Sequence, residues 1–231
     1  MTVLTGKRIL VTGATGALGS RIAHELSHEG AQLVLSGRDS HKLEQLAITG
    51  ERYAVDLDHP EAASALVTAI LRDGPLDGIV IAHGVVAFGP IAELTDATLS
   101  TLTQLNHLGP MQLIRSAQRA LADSASHGHE PFVVTISGVI SELPTVGLAA
   151  YGAGKAGLLG FVRAAQRELK RSGIRLLDSR PPHTETGLAS RAISGVAPTM
   201  PAGLNPDAVA ERIVRAILGA DTDVPTAEFT G

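Results

Sequence analysis

A chain of 231 residues, 44% hydrophobic and 18% charged, can bury a sizeable core and is not composed like a disordered segment. A net charge of −4 and a pI near 6.1 supply no basic surface for nucleic acid or an anionic membrane, and no apolar run reaches the roughly 18 residues of a membrane span. The lack of cysteine removes disulfides, thiolate metal sites and a cysteine nucleophile, and the short lead before the first glycine turn is unlike a secretory leader, so a cytoplasmic protein is expected.

Along the chain, short β-rich runs alternate with longer amphipathic stretches. Residues 8–12 (Arg-Ile-Leu-Val-Thr) read as a buried strand, 17–29 as a helix closed by Gly30, 32–36 as a second strand, and 40–46 as a short helix capped by Ser40. A third strand is predicted over 52–55, a helix with Pro60 in its first turn over 60–72, and a fourth strand over 78–82. Residues 96–121 read as a helix disturbed at Gly109-Pro110, and 132–137 as a fifth strand. A long helix over 149–171, a sixth strand over 174–178 and a last helix over 206–218, ended by Gly219, complete the pattern. Strands this apolar are buried on both faces. They predict an α/β fold, a doubly wound parallel sheet of the Rossmann type with helices on both faces. No linker, composition shift or repeat divides the chain, so residues 1–231 are expected to form a single domain. Residues 181–205 are rich in Pro, Gly, Ala, Ser and Thr and carry no clear period, which suits a mobile substrate lid.

The first strand runs into Thr12-Gly13-Ala14-Thr15-Gly16-Ala17-Leu18-Gly19, where a helix begins. Glycines there let the backbone turn tightly and approach a pyrophosphate, whose charge is met by free N–H groups at the helix N-terminus. Gly13, Thr15, Gly16 and Leu18 are therefore candidate dinucleotide-binding residues. A carboxylate at the end of the second strand would accept from the ribose hydroxyls of NAD and repel a 2′-phosphate. Gly37 stands there instead, followed by Arg38, whose planar fork of donors suits a phosphate. NADP(H) is thus favoured over NAD(H). Asp39, 20 residues after Gly19, is the competing ribose-binding acid.

Tyr151 and Lys155 lie four apart in the long predicted helix and so project from one face. A phenol with a pKa near 10 is a poor acid/base at neutral pH, and an ammonium one turn away would favour the phenolate. Gly152, Gly154, Gly157 and Gly160 each cost that helix about 1 kcal/mol relative to alanine, which close helix–helix approach would offset. The cluster His127-Gly128-His129-Glu130 reads as a solvated turn rather than a metal site.

Taken together, these segments resemble the short-chain dehydrogenase/reductase family in its single-domain, NAD(P)-dependent form, and the resemblance spans nearly the whole chain. Ala17 stands at the second glycine of that form's T-G-x-x-x-G-x-G, while Gly13, Gly16 and Gly19 fit the T-G-x-x-G-x-x-G of longer, epimerase-like members. The resemblance implies that Asp56 and Leu57 lie beside the adenine. It aligns Ile81-Ala82-His83-Gly84 with an Asn-Asn-Ala-Gly segment, placing Ala82 and Gly84 at the cofactor. Asn106 would tie a water to the active lysine. Tyr151 and Lys155 would hold cofactor and substrate, with Tyr151 as general acid/base. In Pro181-Pro182-His183-Thr184-Glu185-Thr186, Thr184 and Thr186 would flank the nicotinamide carboxamide, with Pro182 in place of a glycine. The implied activity is hydride transfer between NADP(H) and a small-molecule carbonyl or alcohol, by a homodimer or homotetramer.

One position departs from the family. The serine that holds the substrate carbonyl, 13 residues before the tyrosine, is Gly138 here, with Ser137 just before it and Ser141 three residues after. A one-residue slip points a side chain to the opposite face, so neither serine replaces it automatically. This departure keeps a second reading open: an NAD(P)-binding protein with little catalysis, acting as a sensor or assembly partner.

Overall fold

In β1 (Arg8–Thr12) every residue is buried, with Ile9 and Val11 packed in one layer and Leu10 in the other. The same alternation puts Leu33 and Leu35 opposite Val34, and Val134 opposite Val133, so the strands need apolar cover on both sides. The computed structural model describes residues 1–229, and the last two residues of the expected domain lie outside them. Its strands continue as β2 (Gln32–Gly37), β3 (Glu51–Ala54), β4 (Gly78–Ile81), β5 (Phe132–Ile136), β6 (Arg175–Ser179) and β7 (Asp223–Val224). All pair in parallel in the order β3-β2-β1-β4-β5-β6-β7.

The helices are α1 (Ala17–His28), α2 (Ser40–Glu44), α3 (Ala62–Asp73), α4 (Asp96–Thr103), α5 (Gly109–Ser126), α6 (Ala149–Lys170) and α7 (Pro206–Gly219). Ile22 and Leu26 of α1 and Ile213, Val214 and Ile217 of α7 cover one face of the sheet. Leu66 and Ile70 of α3, Leu113 and Ala117 of α5, and Leu158 and Val162 of α6 cover the other. Strand order reverses between β1 and β4. In doubly wound sheets such a reversal is where a crevice for ligands lies, beyond the carboxyl ends of those two strands.

Several boundaries differ from the sequence expectation. Asp39, not Ser40, caps α2, its carboxylate accepting from the Lys42 N–H at 3.1 Å, and the helix stops at Glu44. Helix α3 starts at Ala62, which leaves Pro60 outside it. The disturbance expected at Gly109-Pro110 falls one turn earlier, as a π-helical segment over Gln104–Leu108 joining α4 to α5. Pro110 has no N–H to give back and its ring crowds the preceding turn, which a wider turn relieves. Helix α5 then runs to Ser126, beyond the expected residue 121. The two-residue β7 was not anticipated. Residues 181–205 contain a short 3₁₀ turn, Ala189–Arg191, and are tied to the segment after β4 by Ile193 N–H to Val86 O (2.8 Å) and Phe88 N–H to Ser194 O (2.9 Å).

At the opposite edge of the sheet two arginines close helix C-termini. Arg8 donates to the carbonyls of Ile70, Gly74 and Pro75 at 2.9–3.2 Å and pairs with Glu51. Arg175 donates to the carbonyls of Ile217 and Asp221, both at 2.8 Å. Ile70 and Ile217 belong to the last turns of α3 and α7, where carbonyls run short of intrahelical partners, and Gly74, Pro75 and Asp221 follow just beyond the helix ends. In the His127–Glu130 turn, His129 Nδ1 donates to the buried Asp77 carboxylate at 2.6 Å.

Candidate active site

The glycine turn is shaped by close backbone passage. At Gly13 (φ +69°) a Cβ would lie 2.7 Å from the His83 nitrogen, so the turn after β1 and the end of β4 touch backbone to backbone. At Gly19 a Cβ would come within 2.1 Å of the Gly13 oxygen. Only glycine fits either place. Gly16 is the N-cap of α1 and no side chain caps the helix, which leaves its first N–H groups without a side-chain partner. The Thr15 side chain packs against Gly37 at the end of β2, where a Cβ would lie 3.2 Å from Thr15 Oγ1. Arg38, the next residue, is exposed and makes no hydrogen bond or ion pair among the described residues. Asp39 is occupied as the α2 cap. Asp56 accepts from the Asp58 N–H (3.1 Å), and Leu57 is buried, its carbonyl accepting from Gln104 Nε2 (3.3 Å).

Across the crevice, the Ala82 N–H bonds the Thr12 carbonyl (3.1 Å) and leads to Gly84. A Cβ on Gly84 would lie 2.8 Å from Asn106 Oδ1 and 3.7 Å from Lys155 Nζ, so these three residues converge. Asn106 sits in the π segment, fully buried. Its Nδ2 donates to the carbonyls of Val85 (2.9 Å) and Leu102 (3.0 Å), and its Oδ1 accepts from the Val85 N–H (3.2 Å). The side chain thus ties the segment after β4 to α4. His83 Nδ1 pairs with Thr12 Oγ1 at 2.8 Å while its Nε2 is buried without a partner. Burial, with Lys155 nearby, pushes this imidazole down to about 3, so it stays neutral.

Lys155 Nζ donates to the Ile136 carbonyl at the end of β5 (2.7 Å), and burial pushes its pKa down to about 8, against an upward pull from Asp178. Tyr151 lies one turn earlier on α6. Burial pushes its phenol up to about 12, so in the protein by itself the expected lowering by Lys155 is not present. Of the α6 glycines, Gly154 faces the Asn106 Cβ (3.5 Å) and Gly157 the His107 ring (2.8 Å), so both serve packing within the chain, while Gly160 faces open space.

The two serines have different surroundings. Ser137 is fully buried and donates to Asp178 Oδ2 (2.6 Å). Ser141 is half-buried and donates to the Gly138 carbonyl (2.7 Å). Gly138 has φ +72° and ψ 164°, a conformation essentially restricted to glycine. Thr184 pairs with Leu204 in an isolated bridge and its hydroxyl donates to the Pro182 carbonyl (2.9 Å), while Thr186 Oγ1 accepts from the Leu188 N–H (3.3 Å).

A family model described as short chain dehydrogenase matches residues 7–196. The chain belongs to the short chain dehydrogenase family. Within this family of oxidoreductases, a ketoacyl reductase from Nostoc, HetN, is 29% identical over 97% of this chain and 79% of its own length. A short-chain dehydrogenase from Sphingobium yanoikuyae, solved in complex with NADPH, shares 25% identity and a TM-score of 0.84 over 94% of this chain and 87% of its own. The 3-ketoacyl-(acyl-carrier-protein) reductase from Brucella melitensis, solved with NADH, is alike in fold alone, at 22% identity and a TM-score of 0.85 over 98% of this chain and all of its own.

Two residues at this site were not singled out in the sequence, Asp178 and Arg180. Both are buried, and they pair with each other at 3.0 Å. The signal was available: Asp178 follows the buried pair Leu176-Leu177 in a central strand, where a charge needs a partner.

Proposed function

We propose that this short chain dehydrogenase is a reductase or dehydrogenase that moves a hydride between NADP(H) and a small-molecule carbonyl or alcohol. The observation that carries the reading is the convergence of Lys155, Asn106 and Gly84, one turn along α6 from Tyr151. The residues present fit a dinucleotide. Gly13, Gly16 and Gly19 let the turn close tightly on itself and on the end of β4, a pyrophosphate would sit against the uncapped α1 N-terminus with Thr15 and Leu18 flanking it, and Arg38 is free to meet a 2′-phosphate. Asp56 and Leu57 would hold the adenine end, and Ala82, Gly84, Thr184 and Thr186 the nicotinamide end. When bound, the nicotinamide supplies or accepts the hydride.

The chain's own residues handle the proton. Tyr151 gives a proton to the substrate oxygen during reduction and takes it back in the reverse direction. Burial keeps it protonated in the protein alone, which makes it a weak acid, so the proton transfer depends on the Lys155 ammonium stabilising the phenolate that results. Asn106 holds the segment beside Lys155 in place. Ser141 is our candidate for the missing carbonyl donor, because Ser137 is committed to Asp178 whereas the Ser141 hydroxyl need only swing away from the Gly138 carbonyl. That candidate weighs against the sensor reading, which rested on Gly138. A homodimer or homotetramer in the cytoplasm completes the proposal, the former from the small exposed side chains Ala153, Ala156 and Gly160 on α6 and the latter from the cysteine-free composition.

A panel of carbonyls and alcohols with NADPH and NADH, followed by absorbance, tests the activity. The Tyr151→Phe variant should bind NADPH normally and turn over about 10²–10⁴-fold more slowly. Unchanged turnover in Tyr151→Phe refutes the mechanism.

A further inference from the structure

Lys155 is buried, and among the described residues its ammonium has one hydrogen bond, to the neutral Ile136 carbonyl. A charge so poorly solvated requires an opposite charge close by. The residues on either side of Ile136 lead to one. Thr135 Oγ1 and Ser137 Oγ both donate to the carboxylate of Asp178, each at 2.6 Å, and Asp178 has no solvent exposure. Its remaining partner is Arg180 Nη1, at 3.0 Å.

Arg180 is fixed from the far side. It makes a two-pronged pair with Asp223, both contacts at 2.7 Å, and its Nε lies 3.1 Å from Glu142 Oε2 without hydrogen-bond geometry. Glu142, one residue after Ser141, then reaches Arg163 of α6 at 2.9 Å. Arg180 and Arg163 thus face three carboxylates, Asp178, Asp223 and Glu142, one negative charge more than the two arginines carry.

We propose that Asp178 is the counter-ion of Lys155, a positioning residue that keeps the ammonium charged at neutral pH from across the end of β5, with Arg180 holding it in register. The inference rests on the functional reading of Lys155 and adds what sets its charge. Burial pushes Lys155 down to about 8 while Asp178 pulls it upward. Burial likewise pushes the Asp178 carboxyl up, but the two hydroxyl donors and Arg180 oppose this and favour the carboxylate. The other groups facing Lys155 supply no charge at neutral pH. His83 at the end of β4 is held neutral, Tyr151 on the same helix is pushed up to about 12, and Asn106 is an amide. His107, on the π segment, packs against Gly157, two residues beyond Lys155.

The test reads Lys155 directly in the full chain without cofactor. The sequence holds four lysines, Lys7, Lys42, Lys155 and Lys170, so their ¹³Cε NMR signals can be titrated individually. The Lys155 midpoint is expected near 8 in the unmutated protein and about 1 unit or more lower in Asp178→Asn. Asp178→Glu should restore most of that shift. Asp223→Asn, which takes a partner from Arg180 at the exposed end, should leave the midpoint in place. A folded Asp178→Asn protein with an unmoved Lys155 midpoint overturns the proposal. Should that variant not fold, the Asp178 Cγ signal of the unmutated protein must show an inflection at the Lys155 midpoint, and its absence overturns the proposal equally. Failure of the oxidoreductase reading would look different: no NADPH binding or turnover in the unmutated protein, with the Lys155 titration still measurable.

Discussion

Replacing Gly138 by serine puts back the residue type that the family has at this position, and the structure predicts that this does not help. A Cβ there meets nothing closer than the Pro181 oxygen at 3.8 Å, so space is not the obstacle. The backbone is. At φ +72° and ψ 164° a side chain is strained by about 1–3 kcal/mol. For a chain of this size that corresponds to a melting temperature roughly 2–12 °C lower. The strained serine would, moreover, leave the strand in a direction dictated by a turn that glycine has set. Turnover in Gly138→Ser should therefore stay at or below that of the unmutated protein. Ser141→Ala should show the opposite signature. Loss of its bond to the Gly138 carbonyl costs about 1 kcal/mol of stability, while loss of a donor to the developing oxyanion lowers turnover about 10²–10³-fold. Thermal melts and steady-state rates on one accepted carbonyl substrate with NADPH separate the two. A Gly138→Ser protein that melts at the original temperature refutes the strain argument, and a fully active Ser141→Ala protein removes Ser141 from the mechanism.

Two further outcomes follow from the geometry. Arg38→Ala should erase most of a preference for NADPH over NADH; a charge-assisted contact of about 1.5–3 kcal/mol amounts to roughly 10- to 150-fold in affinity, and equal affinities in the unmutated protein, measured by fluorescence titration, would end that argument. Burial pushes Lys155 down to about 8 in the folded protein against an ordinary lysine value of 10.5, so between those pH values the unfolded chain binds the extra proton and this group makes the fold more stable as pH rises. Below 8 both states carry the proton and the buried charge weighs fully on the fold. Urea unfolding should show Lys155→Met to be stabilised relative to the unmutated protein at pH 7, by up to about 3 kcal/mol, with the gap closing toward pH 10. A gap that does not change with pH would mean that burial does not shift the lysine, which then titrates alike in the folded and unfolded chain.

The layered sheet was legible because Ile9, Leu10 and Val11, like Leu33, Val34 and Leu35, are apolar on both faces and followed by turn residues. The glycine turn was legible because Gly13 and Gly19 sit where no other residue fits, a constraint that leaves its mark on the sequence. Less accessible were features decided by tertiary contact. Ser40 and Asp39 are both good caps, and only the path of the chain after Gly37 selects Asp39. The π segment follows from Pro110 but could not be placed to the turn. Strand β7 is two residues long, too short for any period, and exists because Arg180 and the backbone of β6 hold it. Tyr151 and Lys155 were found by their spacing. What spacing could not give was the electrostatic setting, in which burial raises one pKa and lowers the other.

The arginine closures at the far edge of the sheet have a consequence for how this molecule can change. Arg8 and Arg175 secure the ends of α3 and α7 at the strand starts, where no candidate functional residue lies. The helices are therefore held in place independently of what the loops beyond the strand ends are doing. Ser141 and Thr184 lie at the other end of the strands, outside the bonds that hold these helices. The molecule is divided along its strands into an end that keeps its shape and an end that is free to acquire new substrates.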